Sequence, residues 1–93
     1  MIRLGIVMDP IEAIKPHKDS SFAMLLEAQR RGYELHYMQP EDLFLQNGQA
    51  FATTSLLKVW DRPMTEQFYG FGASQMIALN TLDIILIRQD PPF

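Results

Sequence analysis

The sequence predicts an α/β fold: a mainly parallel sheet carrying a β-hairpin insertion. Three observations point to it. Two apolar runs, Leu4–Met8 and Leu82–Arg88, stand near the two ends of the chain and have the hydrophobicity of strands covered on both faces. Between them a helical segment is followed at once by the alternating stretch "YELHYM", which completes the strand–helix–strand order of a βαβ unit. Further on, Asn47-Gly48 sits between two apolar-polar segments and is a strong hairpin signal.

The elements follow in order. "LGIVM" (Leu4–Met8) is the first strand. The stretch "DPIEAIKPHKDSS" contains two prolines, which exclude regular structure through most of it. A helix can start at Asp19 or Ser20, either of which can cap it with a side-chain oxygen. Phe22, Leu25, Leu26 and the small Ala28 form its apolar face, and Gly32 stops it after Arg30 and Arg31, cations suited to the negative helix end. In the next strand Tyr33, Leu35 and Tyr37 fall on one side and Glu34, His36 and Met38 on the other. Glu41-Asp42 starts a short turn before the hairpin. From Ser55 to Asn80 the pattern is least legible: "WDRPMTEQ" reads as a loop, and the first half of "FYGFGASQMIAL" reads as a strand, because aromatics alternate with small residues and Gly70 and Gly72 weaken a helix. "LDIILI" then reads as a fully buried strand.

Ninety-three residues suit one domain. A hydrophobic content of 47% is enough for one core and argues against a disordered tail. The net charge of −3 offers no basic field for a nucleic acid. The absence of cysteine excludes disulfides, thiolate metal sites and a cysteine nucleophile, and fits a reducing, cytoplasmic setting. "MIRLGIVMDP" is interrupted too early for a signal peptide or a membrane span. No nucleic acid and no membrane is therefore expected among the partners.

The first and last clear strands both end in Asp-Pro, "VMDP" and "RQDPP". If they are parallel neighbours, both motifs reach the carboxyl edge of the sheet, where open parallel sheets bind ligands. Arg88 follows four apolar residues and starts at the rim of the core, from which a guanidinium can make a bidentate contact to a carboxylate or phosphate. The plainer reading is a surface arginine paired with Asp90 or Asp9. Asp9 and Asp90 could act as acids, hold a metal or position an amine, yet aspartate before proline is also an ordinary chain-turning device. The connection from Asp9 to Asp19 exceeds the ~2–6 residues usual between such elements, which favours binding. Ser20, Ser21 and the free amides of the helix start could receive an anion, or simply cap the helix. That connection has no glycine, so it is neither a GxGxxG turn nor a P-loop. His17 and His36 lack the spacing of a metal pair. Trp60 and the six methionines suit the core or an interface.

Taken in order, "LGIVMDP", "KDSSFAMLLEAQRRGYELHYM", "DLFLQNGQA" and "LDIILIRQDPPF" closely resemble the opening of bacterial glutathione synthetases, with the similarity weakest between about 55 and 80. Gln89 departs from the basic residue usual in that family. The resemblance implies a Rossmann-like pre-ATP-grasp domain spanning residues 1–93 of an ATP-grasp ligase. Such an enzyme activates γ-glutamylcysteine as an acyl phosphate with ATP and Mg2+, and the amine of glycine then attacks it to give glutathione. It implies that Arg88 meets the peptide substrate, that Asp9, Ser20, Ser21 and Asp90 border the same cleft, and that the domain contributes to a homo-oligomer. ATP and Mg2+ would be held mainly by an ATP-grasp domain not present here, so none is expected in this domain and no ligation by it alone. Two alternatives stay open on the residues: another ATP-grasp ligase with a different acid and amine, or a non-catalytic α/β binding or dimerisation module.

Overall fold

The computed structural model describes residues 1–8, 20–60 and 69–88. Six strands form one sheet and a single α-helix packs on it among these residues: β1 (Arg3–Val7), α1 (Ser20–Arg30), β2 (Glu34–Met38), β3 (Leu43–Gln46), β4 (Gln49–Val59), β5 (Tyr69–Ala78) and β6 (Ile84–Ile87). The strand order is β3-β4-β2-β1-β6, with β5 on the other side of β4.

β1 is central because both its edges are paired in parallel. Leu4, Ile6 and Val7 lie opposite Leu35, Tyr37 and Met38 of β2 on one side, and opposite Ile84, Leu86 and Ile87 of β6 on the other. The expected βαβ unit is present, and so is the expected pairing of the first and last strands.

The sheet as a whole is mixed rather than mainly parallel. Two of the five strand pairings among the described residues are parallel; β2–β4, β3–β4 and β4–β5 are antiparallel. The reason lies in the connections. After β2 the chain does not cross over through a helix but turns through the short 3-10 segment Pro40–Asp42, then reverses at Asn47-Gly48. Both turn residues have positive φ, 52° and 78°, the requirement of the tight two-residue turn that Asn-Gly signals. The two-residue link makes β3 and β4 antiparallel, and β2, whose direction β3 continues along the same side of β4, is antiparallel to β4 as well. β4 is long enough, at eleven residues, to pair with β3 through its first half and with β2 through its second. β5 runs the full length from Tyr69 to Ala78, further than its sequence suggests, and carries an extra residue opposite Ser55–Leu57. Gly72 belongs to this bulge, where an added Cβ would stand 3.3 Å from Leu56 Cβ.

α1 ends as its sequence predicts. Gly32 adopts φ 84°, its N–H donates to Gln29 O at 3.0 Å, and the Tyr33 N–H donates to Ala28 O at 3.0 Å, the two reversed bonds of a Schellman cap. Glu27 accepts from Arg30 Nη2 (2.6 Å) and Arg31 Nε (2.9 Å), so the twin arginines are organised by one surface carboxylate. The buried face of the helix, Phe22, Leu25 and Ala28, meets Leu4, Ile6, Met8, Leu35, Tyr37, Leu57 and Val59 of the sheet. Gln29 fixes the helix to β4 with both ends of its amide: Nε2 donates to Val59 O at 2.7 Å and Oε1 accepts from Val59 N at 2.9 Å.

The other face of the sheet carries a smaller core of Val7, Met38, Ala52 and Leu82, with Ile77 and Leu79 packed against it. Here the cover is the segment around the 3-10 turn Leu79–Thr81 that links β5 to β6. Leu82 comes so close to β1 that a Cβ on Gly5 would lie 2.5 Å from Leu82 Cδ1 and 3.0 Å from Met38 Cε. This side chain seats the start of β6 beside β1.

One expectation is corrected. "LDIILI" forms a strand, but β6 is an edge, and Ile84, Ile85 and Ile87 are exposed, Ile87 by 74%. Isoleucine content reports β preference and desolvation demand; it does not report whether a covering element lies within the same stretch of chain.

Candidate functional site at the carboxyl edge of the parallel strands

Three parallel strands end together. The Met8 N–H donates to Met38 O at 3.1 Å, joining the ends of β1 and β2, and the Arg88 N–H donates to Val7 O at 2.8 Å, joining the ends of β1 and β6. These bonds fix the backbone of Arg88 one residue beyond the β1–β6 register, at the point where β1 runs out. Arg88 is half-buried there.

The helix enters the same neighbourhood from the other direction. Its last turn lies at the amino edge of the sheet, where Arg31 and Tyr33 share a shallow groove with Leu4 and Ile84, the starts of β1 and β6. An eleven-residue helix is about 16 Å long, so its first residues lie towards the opposite, carboxyl edge. Ser20 and Ser21 form that first turn, where a helix leaves its backbone N–H groups without intrahelical partners and its dipole favours negative charge. Asp9 directly follows Met8, and Asp90 stands two residues after Arg88; both lie outside the described residues, as does the connection between 9 and 19. The structure thus places the Arg88 backbone at the end of β1, with the start of α1 towards the same edge of the sheet.

Chemically, this edge presents a guanidinium-bearing residue and a helix start, both suited to carboxylates. Among the described residues no group of three His, Cys, Asp or Glu side chains is placed to hold a metal ion. None of the described helices is long and apolar enough to cross a membrane. His36 is engaged elsewhere, between Glu34 and Thr54. Sequence reasoning overlooked the way Met8 and Met38 tie the strand ends: both are fully buried, and only their place at the last positions of adjacent strands could have signalled it.

Comparison with known proteins bears out the family resemblance read from the sequence. The sequence profile of the prokaryotic glutathione synthetase N-terminal domain matches residues 2–93. Over its whole length the chain is 60% identical to a glutathione synthetase of Photorhabdus laumondii, 59% to one of Escherichia coli strain K12 and 57% to one of Vibrio cholerae. In each case it spans 29% of the relative's length. The chain belongs to the prokaryotic glutathione synthetase family, of which it represents the N-terminal domain.

Proposed function

We propose that this domain supplies part of the peptide site of a cytoplasmic ATP-dependent ligase that joins γ-glutamylcysteine to glycine. In this reading the domain is the Rossmann-like, pre-ATP-grasp part of the enzyme, and the rest of a chain about three times as long carries ATP and Mg2+. ATP supplies the activation of the peptide carboxyl as an acyl phosphate. The part of this domain's residues is to bind and orient the peptide. Arg88 holds a carboxylate of the dipeptide, a substrate with two of them, through a charge-assisted pair. Asp9 and Asp90 border the same opening, Asp9 or Asp90 receiving the γ-glutamyl ammonium, while Ser20 and Ser21 at the helix start face its anionic end. The exposed isoleucines of β6 are covered by the remaining polypeptide, and the domain takes part in a homo-oligomer.

The observation that carries this reading is the bond from Arg88 N–H to Val7 O, because it places the arginine beside the end of β1 and not at the far edge of the sheet. The test is steady-state kinetics of the full-length enzyme. Losing one charge-assisted contact of about 1.5–3 kcal/mol corresponds to a ten- to hundredfold rise in KM for γ-glutamylcysteine in Arg88→Ala, with the KM for ATP nearly unchanged. Arg88→Lys should recover only part of the loss, since a lysine cannot bind two oxygens in plane. Peptide kinetics equal to the wild type would remove Arg88 from the site.

A further inference from the structure

The helix covers only part of its face of the sheet. Tyr37 of β2 and Leu57 of β4 belong to the core beneath it, and strand pairing carries their face outward from there. Ser55 lies opposite Tyr37, and Phe71 of β5 lies opposite Leu57. Alternation along β4 adds Thr53, opposite Met76, and then Phe51, which stands between Phe44 of β3 and Ala78 of β5. Phe44 and Phe51 stack with ring centroids 5.7 Å apart, and Phe71 meets Tyr37 at 5.1 Å. The aromatic packing thus leaves the helix-covered core and continues into the open, where Phe71 is 50% and Met76 59% exposed.

Two features distinguish this face from an ordinary solvated one. An antiparallel sheet that shows one face to water alternates apolar with polar residues, so that charge lines its outer side. In β3, β4 and β5 the one charged residue is Lys58, although 20% of the chain is charged. Alternation puts Lys58 on the opposite face, with Leu56. The second feature is an edge. Among the described residues β5 pairs with β4 alone, and its ten residues include neither a proline nor a charge, the guards that keep a free strand from adding to another chain.

Size and charge both suit a second copy of the chain. β4 and β5 run side by side for about 33 Å, and with β3 beside the first half the face is about 10–14 Å wide. Its flat area is roughly 400 Å², and the relief of the side chains raises this towards the ~600 Å² per partner at which specific interfaces begin. That is also the upper end of what a monomer leaves open. Each copy has a formal charge of −3, so two copies meet without like charges in contact only through a neutral face. A partner of opposite charge would find no charge here to pair with. We infer that the uncharged face of β3, β4 and β5 packs on the same face of a second copy, as two sheets about 10 Å apart related by a two-fold axis. This gives the homo-oligomer proposed above its place in the fold and rests on that reading. β2 and β1 lie between this face and β6, so the Arg88 end of β6 stays outside the contact.

Sedimentation velocity of the full-length enzyme tests this. The wild type should sediment as an oligomer. Met76→Glu and Thr53→Glu, at exposed cross-strand partners on the face, should each raise the dissociation constant of this contact at least about a hundredfold, because both copies then bring a carboxylate into a contact without water. Leu45→Glu, 78% exposed on the opposite face, should leave the mass unchanged. A monomeric wild type would overturn the inference together with the homo-oligomer reading. An oligomeric wild type whose mass survives Met76→Glu and Thr53→Glu, or falls with Leu45→Glu, would overturn the inference alone. A lowered thermal midpoint at unchanged mass would also overturn it, by showing that the same polypeptide covers the face. Should one face variant lose the far-ultraviolet circular dichroism of the folded enzyme, the other decides.

Discussion

Gly5→Ala should change sign with its background. In the wild-type chain the new methyl would lie 2.5 Å from Leu82 Cδ1 and 3.0 Å from Met38 Cε, on a face closed by Val7, Met38 and Ala52. Overpacking of this kind costs about 1–3 kcal/mol, and the stiffer unfolded chain returns about 0.4–1 kcal/mol, leaving a net loss of roughly 1–2 kcal/mol. Leu82→Ala alone should cost about 2–4 kcal/mol, as a buried leucine truncated to leave a cavity. With Leu82 shortened the methyl has room, so Gly5→Ala should then stabilise by about 0.5 kcal/mol. The coupling between the two changes is therefore roughly 2 kcal/mol, well above the ~0.5 kcal/mol expected of independent sites. Urea unfolding followed by far-ultraviolet circular dichroism resolves this. With a slope near 1 kcal/mol/M for so short a chain, each kcal/mol moves the midpoint by about 1 M. Equal effects of Gly5→Ala in both backgrounds would refute the contact, and with it the seating of β6 by Leu82.

Gln29→Ala should destabilise by about 2–3 kcal/mol, because it removes two side-chain hydrogen bonds and strips the Val59 N–H and C=O of their amide partner; Gln29→Glu should also fail, since a carboxylate cannot donate to Val59 O, and denaturant midpoints of both variants check this. Ile87→Lys should cost less than ~0.5 kcal/mol in the 93-residue chain, where Ile87 is 74% exposed, and several times that in the full-length enzyme if the rest of the polypeptide covers β6; equal, small losses in both would leave the edge uncovered. The hydrogen bonds from Arg30, and then from Arg31, hold the Glu27 carboxyl below its ordinary pKa. A depressed carboxylate stabilises above its unfolded pKa and loses that contribution as pH falls through the folded one. The small stability difference between wild type and Glu27→Gln should thus be present at neutral pH and close below about pH 4, and a pH-independent difference in thermal midpoints would contradict the pairing.

Much of the fold was legible because local chemistry specified it. Asn47-Gly48 can serve a two-residue hairpin, Gly32 can serve a Schellman cap, and both do. The shared carboxyl edge of β1 and β6 was legible from two apolar runs that each end in Asp-Pro, which is why the position of the Arg88 backbone followed from the sequence. What escaped was set by residues distant in the chain. His36 reads as a polar-face residue until Thr54, eighteen residues on, is brought within hydrogen-bond distance of its ring. Gln29 looks like a surface glutamine until β4 ends beside it, thirty residues on. The antiparallel half of the sheet was obscured because β5 alternates aromatics with glycines, and its bulge breaks the two-residue period.

The pairing of β1 with β6 joins positions eighty residues apart, as in the bond from Arg3 N–H to the Asp83 carboxylate. During synthesis, one flank of the first strand must therefore wait for nearly the whole domain to leave the ribosome. Until then the nascent chain displays Leu4–Val7 as an open template for misdirected strand addition. Contacts this distant close slowly, so the interval in which the opening strand needs protection is written into the topology.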